Sequence, residues 1–585
     1  MAAKVFSDAG GNWSDNAAWV GGSPAGSGDT VTATGTSGNI TIDTPSECTS
    51  IILTGYVGIL TFNATLTVGG TVTFVSGMGT IAGTSDLICT TTATLTSGGK
   101  VLSGGLQLKG TSQTFTLGDA WSVTGVLNFN GTTGTVLTGT AKIITVAGGL
   151  TVGVTVTTAT TPGIIMTGGS WTGAGILRIN LTLAGDITFL AGTLYYDTKT
   201  LTYSTGAITV TGNTISCAAA TTFATAGLTL NNFTLTSTST ITIGNPFNVA
   251  GLLLLSGGGG TITLNGSAMN LGALTISGGG SIYNFNASIT ITGALTISAT
   301  STWGGGFSMQ AASCTISAAV NIILNGGNVT ITGTTTISGN LSLTTVSAKT
   351  WSTAGLSHST YSVIGTTGLI ILTGGTWSGT GTFTVNVTLA GDVTISSGTR
   401  TCGSLTHTSG AITLSGVTLS ISASATLNTN PLVWENVILT AALTLTINSL
   451  LSVSGTLTLP NAAITFAGTA GFIVEILTNT TITATRILTF ANGITYTITG
   501  AFTTVHAAAQ TVRFTLTSDH ASIKAIIILG PSATQNIGFV DPIRIDSSAG
   551  QQIFSYKGTI TTCLNWISAY PINIALNDPQ LCIGI

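Results

Sequence analysis

Residues 168–193 read GGSWTGAGILRINLTLAGDITFLAGT, and residues 374–399 read GGTWSGTGTFTVNVTLAGDVTISSGT. A constant offset of 206 residues separates Trp171 from Trp377, and the asparagine and the aspartate that follow each tryptophan keep the same offset. The two segments also share the order of their glycines and apolar residues. This agreement indicates an internal duplication.

The duplication continues beyond the quoted segments. Two residues drop out of the second copy, and the register resumes with an offset of 204 residues between Leu201 and Leu405. The copies cover residues 163–254 and 369–459. A duplication that keeps its phase over this length predicts stacked repeat units rather than a series of unrelated globular domains.

A shorter repeat lies inside the long one. The runs VAGLLLL, LGALTI, ITGALTI and ITGTTTI place comparable glycines 21, 21 and 40 residues apart, at Gly251, Gly272, Gly293 and Gly333. The step between VTGVLNF and VAGGLTV is 23 residues. One coil therefore contains about 20–23 residues, which is room for two or three short strands and their corners.

Between the glycines, short runs alternate apolar residues with Thr or Ser, a pattern typical of β-strands. We expect each strand to pair with its equivalent in the neighbouring coils, about 4.8 Å away. Val, Ile and Leu would then point inward and Thr and Ser outward. Glycine is expected at the corners because it accepts positive φ. The predicted fold is all-β, a β-solenoid (β-helix) of about twenty coils.

The composition excludes several classes of function. Charged residues make up 5% of the chain, and the net charge is −3 with no basic run, so the electrostatic footprint of nucleic-acid binding is missing. With 43% hydrophobic residues the chain has enough apolar surface to fold. No window resembles a membrane-spanning helix, and the first residues lack the apolar core of a signal peptide. We therefore expect that the chain is synthesised in a cytoplasm and does not insert into a membrane.

The two ends differ from the body. Residues 1–40 contain Trp13 and Trp19 among Gly, Asn and Asp turns, which predicts a cap over the open end of the solenoid, with or without a docking surface for a partner. Residues 41–500 form the predicted solenoid body. Residues 501–585 contain more charged side chains and longer apolar runs, which predicts a C-terminal β region that serves as a second cap, an oligomerisation region or a tip for binding.

The cysteines do not form a metal or disulfide framework by their spacing. They are seven in number and scattered, without a CxxC pair or a neighbouring histidine: Cys48, Cys89, Cys217, Cys314, Cys402, Cys563 and Cys582. A zinc site or a set of disulfides is therefore disfavoured. We interpret these residues as small buried hydrophobic side chains, and no cofactor or metal is predicted.

No catalytic constellation is visible in the sequence. Asp186 and Asp392 are equivalent residues of the two copies, each after Ala-Gly at a predicted turn, so turn capping explains them better than paired carboxylates for glycosidic cleavage. The four histidines form no spaced pair, and His407 aligns with Tyr203. A cluster of Asp186, Asp197 or Arg178 in one groove would favour a polysaccharide lyase or hydrolase instead.

Tryptophans are the candidate contact residues. Trp13, Trp19, Trp171 and Trp377 lie in glycine-rich surroundings, and exposed indole rings would stack on sugars or on a protein partner. The alternative for Trp171 and Trp377 is that they fill the interior of wide coils, and for Trp13 and Trp19 that they belong to the cap alone. Rows such as Thr240-Ile-Thr would suit an ice-binding face, but the drifting coil length argues against a flat array.

The beginning NWSDNAAWVGGSPAGSGDTVT and the ending IDSSAGQQIFSYKGTITTCLNW, together with the Gly/Thr-rich body, resemble β-solenoid repeat proteins of tailed bacteriophages and related bacterial adhesin-like proteins. The resemblance implies a virion component such as a tail fibre or spike, with other virion proteins or like subunits as partners, a homotrimer among the assemblies, and host surface polysaccharide as a contact. It implies no catalytic residue.

The expected function is therefore non-enzymatic: a rigid β-solenoid rod in a virion, assembled in the host cytoplasm. One alternative is a bacterial surface adhesin or extracellular filament subunit, which would place the protein at the cell surface. Others are a polysaccharide-degrading tailspike enzyme and an ice-binding solenoid.

Overall fold

The structure of the protein is a computed structural model. It describes residues 2–569 except 211, 225–226, 237–239, 244–245, 267, 346–348, 366–367, 430, 507–511 and 557. The chain divides into two compact units, Met1–Ala311 and Ala312–Ile585, and each is described by itself. The fold is an all-β solenoid of about 24 turns with about 1% helix, as the alternating sequence predicts.

In the first unit, two long ladders of parallel strands carry the solenoid. Strands of the first ladder are Ala3–Val5, Thr30–Thr32, Ser50–Ile52, Val72–Thr73, Ala93–Thr96, Thr114–Leu117, Thr135–Thr138, Val156–Thr158, Ile176–Leu177, Gly192–Tyr196, Asn213–Cys217, Asn232–Leu235, Phe247–Leu255, Met269–Ile276 and Ile289–Ile297. Strands of the second are Ser46–Cys48, Leu66–Val68, Leu87–Cys89, Leu106–Lys109, Val126–Asn130, Gly149–Val152, Gly163–Thr172, Asn180–Phe189, Thr200–Thr205, Thr221–Ala224, Thr240–Ile243, Thr261–Gly266, Ser281–Phe285 and Ser301–Gly304.

A shorter third column completes the early coils. Its strands are Gly11–Asn12, Ile40–Ile42, Leu60–Phe62 and Ile81–Gly83. Another short run, Val101–Leu102, Trp121–Val123 and Ile143–Val146, leads into Gly163–Thr172. Each coil therefore places one residue of a strand opposite its equivalent in the next coil, as the repeat predicts.

The interior is built of in-register columns of apolar side chains. One column in the first unit is occupied by five leucines, then a tryptophan and a phenylalanine, all at most 1% exposed: Leu66, Leu87, Leu106, Leu127, Leu150, Trp171 and Phe189. Each member covers the apolar surface of the one below it, which removes that surface from water along the whole stack. Trp171 therefore stands where earlier coils place leucine.

The repeat glycines lie where neighbouring coils approach closely. The expectation of positive φ is wrong for Gly251, Gly272, Gly293 and Gly333, whose φ angles lie outside that region. A Cβ at Gly272 would instead overlap the carbonyl oxygen of Ala250 in the preceding coil, and one at Gly293 would lie 2.6 Å from the carbonyl oxygen of Gly272. These glycines lie inside strands where the register shifts and not at corners, and a side chain at Gly272 or Gly293 would push consecutive coils apart.

The second unit has the same construction. After the strand Ser308–Ile316, which contains the boundary of the units, its strands are Val320–Leu324, Asn328–Ile337, Leu341–Thr345, Trp351–Ser357, Val363–Ile364, Leu369–Leu372, Gly375–Ser378, Asn386–Ala390, Val393–Ile395, Gly398–Thr401, Leu405–Ser409, Ile412–Leu414, Val417–Ile421, Ala425–Asn428, Val433–Trp434, Asn436–Leu439, Leu443–Ile447, Leu451–Leu459, Ile464–Gly468, Phe472–Asn479, Arg486–Phe490, Thr495–Thr503, Phe514–Ser518, Ala525–Leu529, Thr534–Asn536, Val540–Ile543, Ile545–Asp546, Ile553–Tyr556 and Trp566–Ala569. Their pairings are parallel, for example Arg486–Phe490 with Phe514–Ser518.

The parallel ladders include residues near both ends of the described chain. Ala3–Val5 pairs with Thr30–Thr32, and beyond residue 500 Phe514–Ser518 pairs with Val540–Ile543. A short 3₁₀-helix, Asn16–Ala18, lies in the N-terminal segment. Within the described residues no helix has the length and apolar character needed to cross a membrane. The C-terminal tail from residue 570, including Cys582, lies outside the described residues.

Candidate functional site

The four candidate tryptophans lie inside the core. Trp13 and Trp19 are 2% and 3% exposed, and their rings pack edge to face 4.8 Å apart between centroids. Trp171 and Trp377 are 1% and 0% exposed. Stacking on a sugar requires an exposed ring face, and these rings offer none. The placement of Trp171 and Trp377 agrees with the alternative interpretation, in which tryptophan fills the coil.

Asp186 and Asp392 each hold a turn of the following coil. The Oδ1 atom of Asp186 accepts a hydrogen bond of 2.7 Å from the backbone N–H of Ala207, and that of Asp392 accepts one of 2.8 Å from Ala411. Each bond joins one coil to the next. Both aspartates thus have a structural role in holding the following coil, although Asp186 itself lies inside the strand Asn180–Phe189 and not at a turn of its own.

The equivalent residues Tyr203 and His407 also perform one structural task. The Tyr203 hydroxyl donates to the carbonyl oxygen of Gly206 at 2.6 Å. The Nε2 atom of His407 lies 3.0 Å from the carbonyl oxygen of Gly410. In both copies, a ring nitrogen or hydroxyl thus bonds to the carbonyl three residues further along the same turn.

A polar groove lies on the surface of the first unit. Its volume is about 310 Å³, and it is lined by Asn180, Thr198, Lys199, Thr200, Ala220, Thr221, Thr222, Thr240 and Thr242. This volume is at the lower end of the range for ligand-binding clefts. Hydroxyl groups, one amide and one ammonium group form most of the wall, and the lining contains no carboxylate.

Strand pairing sets the spacing of the groove. Asn180 precedes the paired residues Leu181 and Leu201, so it lies beside Thr200, while Thr200 pairs with Thr222 and Thr222 with Thr242. These four side chains point away from the core, because Leu201 and Phe223, their strand neighbours, are buried. The groove therefore presents a row of polar groups at intervals of about 4.8 Å.

One wall of the groove is held by an ion pair between a half-exposed arginine and a buried aspartate. The Oδ2 atom of Asp197 lies 3.4 Å from Nη2 of Arg178, and its Oδ1 atom accepts a hydrogen bond of 2.6 Å from the N–H of Ala218. Asp197 is 1% exposed. Its carboxylate thus ties together three consecutive coils and fixes the turn on which Thr198 and Lys199 stand.

This turn contains the two residues that the second copy lacks. Thr198 has φ of 64°, a conformation that costs a β-branched residue about 1–3 kcal/mol. The carbonyl oxygen of Lys199 accepts the N–H of Thr222 at 3.1 Å. In the second copy the equivalent amide, that of Thr426, donates instead to the hydroxyl of Ser404 at 2.9 Å. The insertion therefore replaces a side-chain acceptor with a backbone acceptor.

Of the three residues that would favour an enzyme, the structure brings two together. Arg178 and Asp197 form the ion pair beside the groove. Asp186 lies six residues beyond Asn180 on the same strand, about 20 Å away along extended backbone, and caps a different turn. Because the Asp197 carboxylate is paired with Arg178 and accepts a hydrogen bond from Ala218, its role is to stabilise the turn.

The second unit holds a buried polar cluster. Arg400, 2% exposed, donates from Nη2 to the carbonyl oxygen and the hydroxyl of Ser396, both at 2.8 Å, and from Nη1 to the carbonyl oxygen of Gly379. His358, 1% exposed, has Nδ1 at 3.0 Å from the carbonyl oxygen of Tyr361. Burial lowers the pKa of His358, and the charge of Arg400 lowers it further.

The described part of the chain contains neither a cluster of metal-ligating side chains nor a disulfide. No group of three or more His, Cys, Asp or Glu side chains gathers there to hold a metal ion. Cys48, Cys89, Cys217, Cys314 and Cys402 are buried free thiols, and Cys563 is half-buried. Burial raises the pKa of Cys48, Cys89 and Cys402 to about 12. The interpretation of cysteines as small buried side chains is confirmed for these five.

The fold defines the chain as a β-solenoid repeat protein. Comparison with protein-family models, curated proteins and solved structures gives no match. The groove is not among the sites predicted from the sequence, although the two-residue step from an offset of 206 to 204 is a signal of it.

Proposed function

We propose that the chain is a non-enzymatic structural protein that forms a rigid element of a bacteriophage particle, as a fibre, a spike or another particle-attached component. The observation that supports this role is the continuous parallel pairing of coils within each unit. Each coil is held by its two neighbours through hydrogen bonds and apolar columns, so the stack resists bending and grows in length with each coil.

The bacteriophage setting rests on the resemblance of the two ends of the chain to repeat proteins of tailed bacteriophages. In this setting the partners are other virion proteins or further copies of the chain, a homotrimer included, and the protein assembles in the host cytoplasm. The low charge of the body is compatible with a scaffold that uses its ends for attachment.

Immunogold electron microscopy tests this proposal. Antibodies raised against the purified chain are applied to phage particles, and separately to intact cells, of the strain that encodes it. We expect gold on the particles. Labelling of the cell envelope with none on particles would overturn the virion proposal and support the surface adhesin or filament subunit instead.

A further inference from the structure

We propose that the groove of the first unit is a binding site for an acidic saccharide, such as a segment of a uronic-acid polymer. This inference goes beyond the structural role and does not depend on the virion setting, because it rests on the groove alone.

The polar row fits a carbohydrate. Asn180, Thr200, Thr222 and Thr242 present donors and acceptors at intervals of about 4.8 Å, a spacing comparable to the width of one pyranose ring. Threonine hydroxyls both donate and accept, as sugar hydroxyls do. An extended peptide would need a free sheet edge or apolar pockets, but these strands are paired on both sides and Ala220 alone gives the lining an apolar side chain.

The charge selects an anionic ligand. Lys199 is half-buried and lines the groove, and the nearby carboxylate of Asp197 is engaged by Arg178 and Ala218. Since the lining holds no acidic side chain, the ammonium group is available to a carboxylate of the ligand. One lysine is too little for a nucleic-acid backbone, which needs several phosphate contacts, but it suits one uronate group.

The turn is built before a ligand arrives. The ion pair of Asp197 and the hydrogen bond that the Thr222 N–H donates to the Lys199 carbonyl oxygen hold Thr198 in its positive-φ conformation. Strained backbone that its surroundings hold in place is typical of binding sites, and preorganisation reduces the cost of binding. The second copy repeats the polar row as Asn386, Ser404, Thr426 and Thr446 but has no lysine at this turn.

The test is titration calorimetry of the full chain with tetrasaccharides of polygalacturonate, alginate and hyaluronan, and with their carboxyl-reduced counterparts. We expect at least one acidic probe to bind with a millimolar or lower Kd. Its carboxyl-reduced form should bind at least about tenfold more weakly, since a hydrogen bond to a charged group contributes this much affinity. Lys199→Ala should reduce affinity by about tenfold. The matched control Lys109→Ala, an exposed lysine on the same ladder, should change nothing.

A transfer variant keeps the test independent of a loss of folding. Thr-Lys is inserted between Gly403 and Ser404 in the Lys199→Ala background, and Gly403 is kept because a Cβ there would lie 2.5 Å from the carbonyl oxygen of Thr384. We expect this variant to regain acidic-saccharide binding. The proposal is overturned if no acidic probe binds, if acidic and reduced probes bind equally, or if Lys199→Ala leaves the affinity unchanged. None of these outcomes affects the immunogold result.

Discussion

The two copies repeat one pattern of parallel strands but differ in what they bury and expose. Most strands of residues 163–254 have a counterpart in residues 369–459, but two long strands of the first copy are each divided in the second: Gly163–Thr172 corresponds to Leu369–Leu372 and Gly375–Ser378, and Asn180–Phe189 to Asn386–Ala390 and Val393–Ile395. The first copy exposes a lysine on an inserted turn. The second copy carries polar groups in its core. The scaffold therefore tolerates change at a turn and inside a column as long as coil spacing is kept.

The buried difference is specific. The offset of 206 aligns Arg400 with Leu194 and His358 with Val152, and all four side chains are at most 2% exposed. The second copy thus has Arg400 where the first has Leu194, and the coil that precedes it has His358 where the coil before the first copy has Val152. Backbone carbonyl oxygens compensate for the change by accepting from the guanidinium group, which a core of side chains alone would not do.

The largest expected effect concerns what the copies share. A Cβ at Gly185 or Gly391 would overlap the carbonyl group of the coil before it. Gly185→Ala and Gly391→Ala should therefore each lower the free energy of unfolding by about 4 kcal/mol or more, measured by urea denaturation. The matched controls Gly212→Ala and Gly416→Ala, at positive φ but without overlap, should lose about 1 kcal/mol. Equal losses in all four variants would show that Gly185 and Gly391 are not required for the close approach of neighbouring coils.

The next effect concerns Arg400. Arg400→Ala leaves several carbonyl oxygens without their donor and opens a cavity, so we expect a loss of about 3 kcal/mol in urea denaturation. Arg400→Leu installs the residue of the first copy and should recover more than half of that loss, because an apolar side chain fills the volume without a buried charge. A loss for Arg400→Leu as large as that for Arg400→Ala would contradict this.

Acid should weaken the second unit through His358. Its pKa in the folded protein lies below the ordinary value of 6.5 because the ring is buried, so the folded state binds fewer protons than the unfolded state. Stability is then complete above about pH 6.5 and decreases as pH falls below it, by at most about 1.4 kcal/mol per pH unit for one group.

Thermal unfolding at pH 7.5 and pH 5.5 checks this prediction. His358→Val, which installs the residue that the 206-residue offset aligns with His358, Val152, should reduce the loss of Tm between the two pH values. Part of the loss should remain, because burial also lowers the pKa of His506. If the pH dependence of Tm is unchanged in His358→Val, His358 is not the cause of the acid sensitivity.

The smallest expected effect is again common to both copies. Asp186→Ala and Asp392→Ala each remove one hydrogen bond between coils and should each cost about 1 kcal/mol in urea denaturation. The two losses should agree within error because the bonds have the same geometry. A large loss in one variant alone would mean that one aspartate has a further task.

The features that follow from the repeat period of the sequence can be predicted from it. Alternation and a coil of 20–23 residues predict the ladders, and the duplication predicts that Asp186 and Asp392 cap equivalent turns. The need for glycine at Gly272 depends on where a carbonyl of another coil lies, so the sequence indicates the position but not the reason. The groove combines side chains from separate coils, and only the lost register at Thr198 and Lys199 signals it in advance.

The register of neighbouring coils in both copies is the central claim, and engineered disulfides test it most directly. Thr222 pairs with Thr242 and Thr426 with Thr446, at separations that a disulfide can span. After mild oxidation, both double-cysteine variants should lose two alkylatable thiols, as measured by intact mass. The out-of-register pair Thr222 and Thr240 should remain alkylatable. A disulfide in the out-of-register pair, or none in either in-register pair, would contradict the coil stacking described for the two copies.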